Sequence, residues 1–459
     1  MIRFIRNIFV IPELRKRVIF TLLLLAVYRM GSQIVTPGLN SEALQQFFDA
    51  LKGTFFGFMD MFSGKNISRM TIFALGVMPY ISASIILQLL QVVWPYLDRI
   101  AKEGELGKKK ITQYTRYGTV LICLIQGGGI AIGLERMNPN GIPVVLNPGW
   151  GFRMLTILTL TTGTMFIMWL GEQISERGIG NGISLIIFAG IVVGLVPGVG
   201  NTMEGLKTGD MSPLKLIFIM AMIVLVIAFI CYVEMGQRRI PITYAKRIQG
   251  RKMMGGQSTF LPLKVNTGGV IPIIFASSVI TFPATILQFI KHPIAQKITQ
   301  QLTWGMPLYN LLYITSIIFF TYFYISIIFN PQDVSNNLQK YGGFIPGIRA
   351  GKNTADYIDG VLSKLTFIGA IYLAMVALLP EFLMTGFKVG ALPFVGDFLE
   401  ANLPRWFYEG FNVKFYFGGT SILIVVGVAM DTVQQIEAQL TMRNYDSFSR
   451  KGRIRGRRG

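Results

Sequence analysis

Residues 71 to 97 read TIFALGVMPYISASIILQLLQVVWPYL. The stretch is long enough to cross a bilayer, whose hydrocarbon core of about 30 Å needs about 20 apolar residues in a helix. Pro79 interrupts it near its start, and Ser82, Ser84, Gln88 and Gln91 are spread along it. Polar side chains at membrane depth are costly against lipid, so this helix must turn part of its surface to protein or water. Immediately upstream, FMDMFSGKNISRM (residues 58 to 70) is partly apolar but too short to span. A short half-element leading into a broken, polar-faced helix points to a pathway through the membrane.

The rest of the chain fits that setting. Its 459 residues are 52% hydrophobic and 14% charged, with a mean hydropathy of +0.51. A soluble core of this size needs no repeated uninterrupted apolar runs. Ten such runs predict an all-α membrane protein with spans near Val18 to Val35, Thr71 to Leu97, Tyr117 to Leu134, Phe152 to Gly171, Ile183 to Gly200, Leu214 to Val233, Gly268 to Ile290, Pro307 to Phe329, Leu365 to Phe382 and Phe415 to Val433. No A-x-A-like cleavage site follows the first, which is therefore expected to be a retained helix. Cys123 and Cys231 both fall within spans and read as inert buried thiols.

The net charge of +20 gathers on one side of the predicted membrane. Basic residues cluster before the first span (Arg3, Arg6, Arg15, Lys16, Arg17), between the second and third, between the sixth and seventh, and after the tenth. The opposite loops, such as 137 to 150, are nearly free of Lys and Arg, which places both termini in the cytoplasm. Most basic cytoplasmic loops are topology signals and need no partner. Two of them, 234 to 267 and 330 to 364, exceed that role by combining length and charge with Gly and Pro turn signals, and read as docking surfaces. Five spans precede the first of these and five follow it. The expected organisation is an N-terminal half (1–200, with the segment 58–70), a C-terminal half (201–436) inverted relative to it, and a basic tail (437–459).

Several chemistries lack their residues. The one histidine, His292, falls in a non-cytoplasmic loop away from any candidate nucleophile, which makes a Ser/His hydrolase improbable. The nearest approach to a phosphate-binding loop, GIRAGKN at 347 to 353, has the wrong spacing and lacks the hydroxyl that holds magnesium. Paired intramembrane carboxylates for a proton or metal relay are missing: Glu172 and Glu234 are placed at cytoplasmic ends of spans and Asp431 near the end of the tenth. Arg29, the one firm charge within a span, reads as snorkelling or capping carbonyls near the outer end of the first helix. No catalytic, cofactor or metal site is expected, which favours a passive conduit.

The motifs themselves are recognisable. MFSGKNISRMTIFALGVMPYISASIILQLL, KKKITQYTRYGT, GTMFIMWLGEQISERGIGNGISLIIFAGIV, GQRRIPITYAKRIQGRK, STFLPLKVNTGGVIPIIFASS, FNPQDVSNNLQKYGGFIPGIRAGKNTADYID and YFGGTSILIVV, in this order, resemble the SecY family of channel subunits of the bacterial protein translocase. The resemblance covers nearly the whole chain. It implies a ten-helix protein-conducting channel in the inner membrane, opening across the bilayer for secreted chains and sideways for membrane segments.

By motif position the resemblance assigns an aliphatic pore ring to Val77, Ile81, Ile183, Ile187, Ile274 and Ile424. Taken singly, each is an ordinary core residue. A narrow apolar collar dewets and resists ion leak, yet yields around a moving chain. Residues 58 to 70, with Met61, Phe62, Ser63 and Gly64, resemble the family's plug; without the resemblance they read as an interfacial turn. Ser82, Gln126 and Asn266 fall where the family places polar residues across its lateral gate. Lys246, Arg247, Arg251 and Arg349 fall in loops that dock the ribosome and the motor ATPase SecA, where an Arg fork suits carboxylate and RNA phosphate alike. The resemblance further implies the small subunits SecE and SecG, and signal sequences, nascent chains and membrane lipids as transient partners.

Two segments depart from the family pattern. The outer connection 385 to 414 is longer than usual and rich in aromatics that suit a membrane interface, and the tail RKGRIRGRRG is rich in Arg. Two other classes compete. A secondary transporter needs a polar midplane site where this chain has aliphatic residues, and an insertase without a through-pore lacks a plug-like segment.

Overall fold

The computed structural model describes residues 11–40, 42–44, 46, 63–137, 142–208, 213–244, 247–249, 252–254, 258–288, 301–302, 306–386 and 419–451. The chain divides into two compact units, Met1–Gly200 with Val428–Gly459, and Asn201–Gly427. A helix stands within each of the ten expected spans. By length and composition, six helices among the described residues are apolar enough to cross a membrane, or seven if one bent pair counts as a span.

The first unit contains α1 (Pro12–Gly31), α2 (Met78–Val93), α3 (Pro95–Lys102), α4 (Glu105–Glu135), α5 (Trp150–Arg177) and most of α6 (Gly182–Lys207). The decisive stretch folds differently from its reading as one interrupted span. Pro79 lies in the first turn of α2, where its fixed φ suits a helix and its missing N–H has no partner to lose, so it starts the helix. The true break comes later. Trp94 is extended (φ −106°, ψ 106°), as a residue before proline prefers, and the axis turns 102° into α3 at Pro95.

Residues 71–77 are a folded-back run of turns pinned to the chain that leaves α1. The Ile72 N–H donates to the Ile34 carbonyl and the Thr36 N–H to the Met70 carbonyl, both at 2.9 Å. Phe73, 1% exposed, stacks between Tyr28 of α1 (5.7 Å between ring centroids) and Phe166 of α5 (6.1 Å). This approach requires glycine on both walls: a Cβ at Gly31 would enter the Phe73 ring, and one at Gly163 would enter the Ile72 carbonyl.

Helices α4 and α5 pack lengthwise and are clamped at both ends by ion pairs. Arg116 Nη2 lies 2.7 Å and Nε 3.1 Å from the two oxygens of Glu172. At the far end Arg153 donates twice to Glu135 Oε2, at 2.7 and 2.9 Å, while Glu135 Oε1 accepts from the Gly149 N–H at 2.9 Å. The fork-to-fork geometry of the Arg116–Glu172 pair fixes the direction and register of the two helices.

The second unit holds α7 (Pro213–Met235), α8 (Ile271–Gln288), α9 (Pro307–Ile328), α10 (Pro331–Lys340), α11 (Lys352–Thr385) and the start of α12 (Gly419–Lys451). It also holds strands, which an all-α reading did not anticipate. β1 (Gln237–Tyr244) pairs antiparallel with β4 (Ser258–Lys264), and β5 (Gly343–Phe344) adds to the other edge of β1. Between them β2 (Arg247–Gln249) and β3 (Lys252–Met254) form a separate two-stranded ribbon. The signal was the alternation in QRRIPITY: Ile240 and Ile242 point inward while their neighbours are exposed or half-buried. Ile240, Leu263, Ile345 and Ile358 form a small core beneath this sheet.

Candidate functional site

The plug-like segment and the first half of the pore ring lie within the first unit. Met61 and Phe62 fall outside the described residues, as do residues 58 to 60. Ser63 and Gly64 are described. Gly64 is buried in the left-handed region (φ 68°), and a Cβ there would stand 2.9 Å from the Gly190 Cα and carbonyl oxygen. The segment therefore meets α6 backbone to backbone. On α6, Ile183 and Ile187 are one turn apart, half-buried, and end three residues short of that contact.

Val77 and Ile81 form a similar pair. Val77 caps α2 and accepts a hydrogen bond from the Ile81 N–H at 3.1 Å; the two are 7% and 5% exposed. In the second unit Ile274 (8% exposed) lies one turn beyond Val270, which rests on Gly427 of α12, and Ile424 (1% exposed) lies three residues before that glycine. Each unit thus brings its own aliphatic candidates to helix ends.

A polar cluster that the sequence reading missed surrounds the plug-like segment. Asn66, 1% exposed, donates from Nδ2 to the Tyr28 hydroxyl at 3.2 Å, and its backbone carbonyl accepts from the Thr71 N–H at 3.0 Å. The next residue of α1, Arg29, donates to the Ala189 carbonyl of α6 at 3.2 Å and reaches Ser32 Oγ at 3.4 Å. Arg29 does engage a carbonyl, on a helix 160 residues away in sequence. Lys65 (φ 66°) and Met70 (φ 43°) flank Asn66 in the left-handed region, which costs a residue with a side chain on the order of 1 kcal/mol or more.

The gate candidates are placed unevenly. Ser82 and Gln126 are half-buried on α2 and α4, helices that meet closely where Ala83 touches Gly118. Asn266, 3% exposed, lies at the β4–α8 junction and donates to Glu234 Oε1 of α7 at 2.6 Å and to the Gly269 carbonyl at 3.1 Å. This buried Asn–Glu contact, which no local pattern signals, ties the end of α7 to the start of α8.

Of the docking candidates, Lys246 and Arg251 fall outside the described residues and Arg247 begins β2. Arg349 is exposed on a well-held loop. Its carbonyl accepts from Thr354 Oγ1 at 3.0 Å, and Ser335 Oγ of α10 donates to the Gly351 carbonyl at 2.7 Å. β5 pairs with β1 through Thr243–Phe344 and Tyr244–Gly343, so the two long loops form one platform. Cys123 is buried and Cys231 half-buried, and neither is in a disulfide. His292, the greater part of the outer connection and residues 452 to 459 of the tail lie outside the described residues.

Comparison with known proteins places this geometry. The SecY family model matches residues 71–433. The protein translocase subunit SecY of Aquifex aeolicus is 46% identical over 453 residues, covering 98% of this chain and 100% of the relative. That of Escherichia coli K12 is 47% identical over 448 residues, covering 97% and 96%. Among solved structures, a protein-conducting channel aligns with a TM-score of 0.63 at 17% identity, covering 92% of this chain and 91% of that one. A SecY structure concerned with a plug domain that stabilises the closed channel aligns at 0.61 and 18%, with the same coverage. At those identities the structural likeness speaks for the fold, a multi-pass helical membrane architecture. The identity to curated relatives, sustained from end to end, carries the assignment: the chain belongs to the SecY family.

Proposed function

We propose that this chain is the central channel subunit of a bacterial protein translocase, passing unfolded secretory polypeptides across the plasma membrane and releasing membrane segments sideways into lipid. Ten spans in two inverted halves, with both termini in the cytoplasm, complete this reading. The aliphatic positions Val77, Ile81, Ile183, Ile187, Ile274 and Ile424 form the collar, and residues 58 to 70 the plug. Ser82, Gln126 and Asn266 serve the lateral gate. No catalytic step is assigned to the chain; energy comes from SecA or the ribosome docked on the loops 234–267 and 330–364, and SecE and SecG complete the complex.

The carrying observation is identity of 46–47% over nearly the full length to proteins named as translocase subunits. The contact of Gly64 with Gly190, just past Ile183 and Ile187, supports the plug and collar as neighbours. The test is export into vesicles containing the chain with SecE, SecG and added SecA. A secretory precursor is expected to become protease-protected only when both the chain and ATP are present. Protection that is no higher than in vesicles lacking the chain would overturn the reading.

A further inference from the structure

Residues 178 to 181 join α5 to α6, the helix that carries Ile183 and Ile187. The first N–H groups of a helix have no partner within it, so such a turn must find acceptors elsewhere. Here they are met one by one. The Gly178 N–H donates to the Ile174 carbonyl at 2.8 Å and ends α5. The Ile179 N–H donates to Thr21 Oγ1 of α1 at 3.1 Å, the Gly180 N–H to Gln435 Oε1 of α12 at 3.0 Å, and the Gly182 N–H to Ser175 Oγ of α5 at 2.9 Å. Asn181 caps α6, its Oδ1 accepting from the N–H groups of Ile183 at 3.2 Å and Ser184 at 3.4 Å. All of these residues belong to the first unit.

Close packing reinforces the turn. A Cβ at Gly178 would run into Thr21 Oγ1 and the Ile174 carbonyl, and one at Gly182 into the Gly171 carbonyl, so α6 starts seated backbone to backbone on the end of α5. Gly180 adopts φ 87°, which glycine takes without strain. Ile183 packs on Gly171 from this seat. The fastenings differ in exposure: the bond from Ile179 to Thr21 is buried, with the two residues 4% and 8% exposed, whereas Ser175 and Gln435 are exposed. Water can replace an exposed partner, but a buried N–H that loses its acceptor bears its full desolvation cost. The Thr21 hydroxyl proton is itself committed to the Arg17 carbonyl at 2.9 Å, which leaves its oxygen facing Ile179 as an acceptor.

We propose that Thr21, Ser175 and Gln435 are positioning residues for the pore: by accepting from the N–H groups of the α5–α6 turn they fix where α6 starts, and with it the placing of Ile183 and Ile187. Thr21 has the largest effect because its bond is the buried one. This rests on the reading of Ile183 and Ile187 as collar positions.

The test uses the full chain with SecE and SecG in vesicles and two readouts, one of which needs no translocation. Thr21→Val replaces the hydroxyl with a methyl group, and Thr21→Ser restores it. Amide hydrogen exchange in residues 178 to 185 is expected to quicken roughly tenfold in Thr21→Val, the order that a buried donor without an acceptor implies, and to return close to the parent rate in Thr21→Ser. Ser175→Ala and Gln435→Ala should each change it by roughly twofold or less, since water takes the vacated place. The second readout is photo-crosslinking to an arrested secretory precursor from Ile187 and, as control, from Ile81. Thr21→Val should weaken the crosslink from Ile187 severalfold and leave that from Ile81 unchanged. Exchange at the parent rate in Thr21→Val, or faster exchange with both crosslinks or neither weakened, would overturn the proposal. Should Thr21→Val fail to insert, the double variant Ser175→Ala with Gln435→Ala is judged by the same two readouts. Absence of a crosslink from Ile187 in the parent would remove the collar reading instead, and the exchange rates would still decide whether these side chains hold the turn.

Discussion

Arg349→Glu is expected to reduce SecA-driven export roughly tenfold or more while leaving the chain folded and inserted. Gly347 adopts φ 83°, the Arg349 carbonyl accepts from Thr354 Oγ1, and Gly351 is tied to buried Ser335 of α10. The Arg349 side chain projects from this frame into solvent, so reversing its charge disturbs no packing. It turns attraction for an acidic partner into repulsion, and loss of one desolvated charge pair costs about 2 to 5 kcal/mol in known interfaces, where 1.4 kcal/mol is already tenfold. Export and SecA binding measured in the same vesicles check it. Normal export by a well-inserted Arg349→Glu chain would reduce the residue to a topology charge.

Replacing Ile81, Ile187, Ile274 and Ile424 together with Ser is expected to raise idle ion conductance by roughly an order of magnitude. These side chains are branched and apolar; Ile81, Ile274 and Ile424 are buried within their own units, and Ile187 is half-buried. A ring of them excludes water by size and by offering no hydrogen bonds. Hydroxyls both shorten the side chains and accept water, so the dry gap fills and ions follow. Planar-bilayer recording reads the effect, with the parent chain as the comparison in which the collar is intact. A quadruple variant that conducts no more than the parent, even with residues 58 to 70 deleted, would exclude these positions from the barrier.

How much of this was readable beforehand depended on the kind of interaction. Apolar runs are local, so helices stand where the ten spans were expected. Proline was read less well. Pro79 and Pro95 look alike in sequence, but one opens α2 and the other marks a 102° bend, and the difference lies in whether a helix already precedes them. The sheet was written in the alternation of Ile240 and Ile242, but set among arginines it read as a basic loop. β5, two residues long, acquires meaning only through its pairing with β1.

Site residues followed the same rule. Motif context named Val77, Ile81, Ile183 and Ile187, but it carried no sign of which residues the plug-like segment and its neighbours meet, because those contacts join positions far apart in sequence. Tyr28 and Asn66 are 38 positions apart, and Arg29 and Ala189 are 160 apart. Arg29 was conspicuous as a charge in a span, although its partner is a backbone carbonyl, which every residue possesses. The approach of Gly64 to Gly190 gave no signal at all in a chain with 50 glycines.

The proposed function requires each of the six aliphatic positions to line the path of a translocating polypeptide. A photo-crosslinking residue placed in turn at Val77, Ile81, Ile183, Ile187, Ile274 and Ile424, with a secretory precursor arrested midway, tests this most directly. All six positions are predicted to crosslink to the same short stretch of the precursor. Crosslinks confined to the positions of one unit, or to lipid alone, would contradict it.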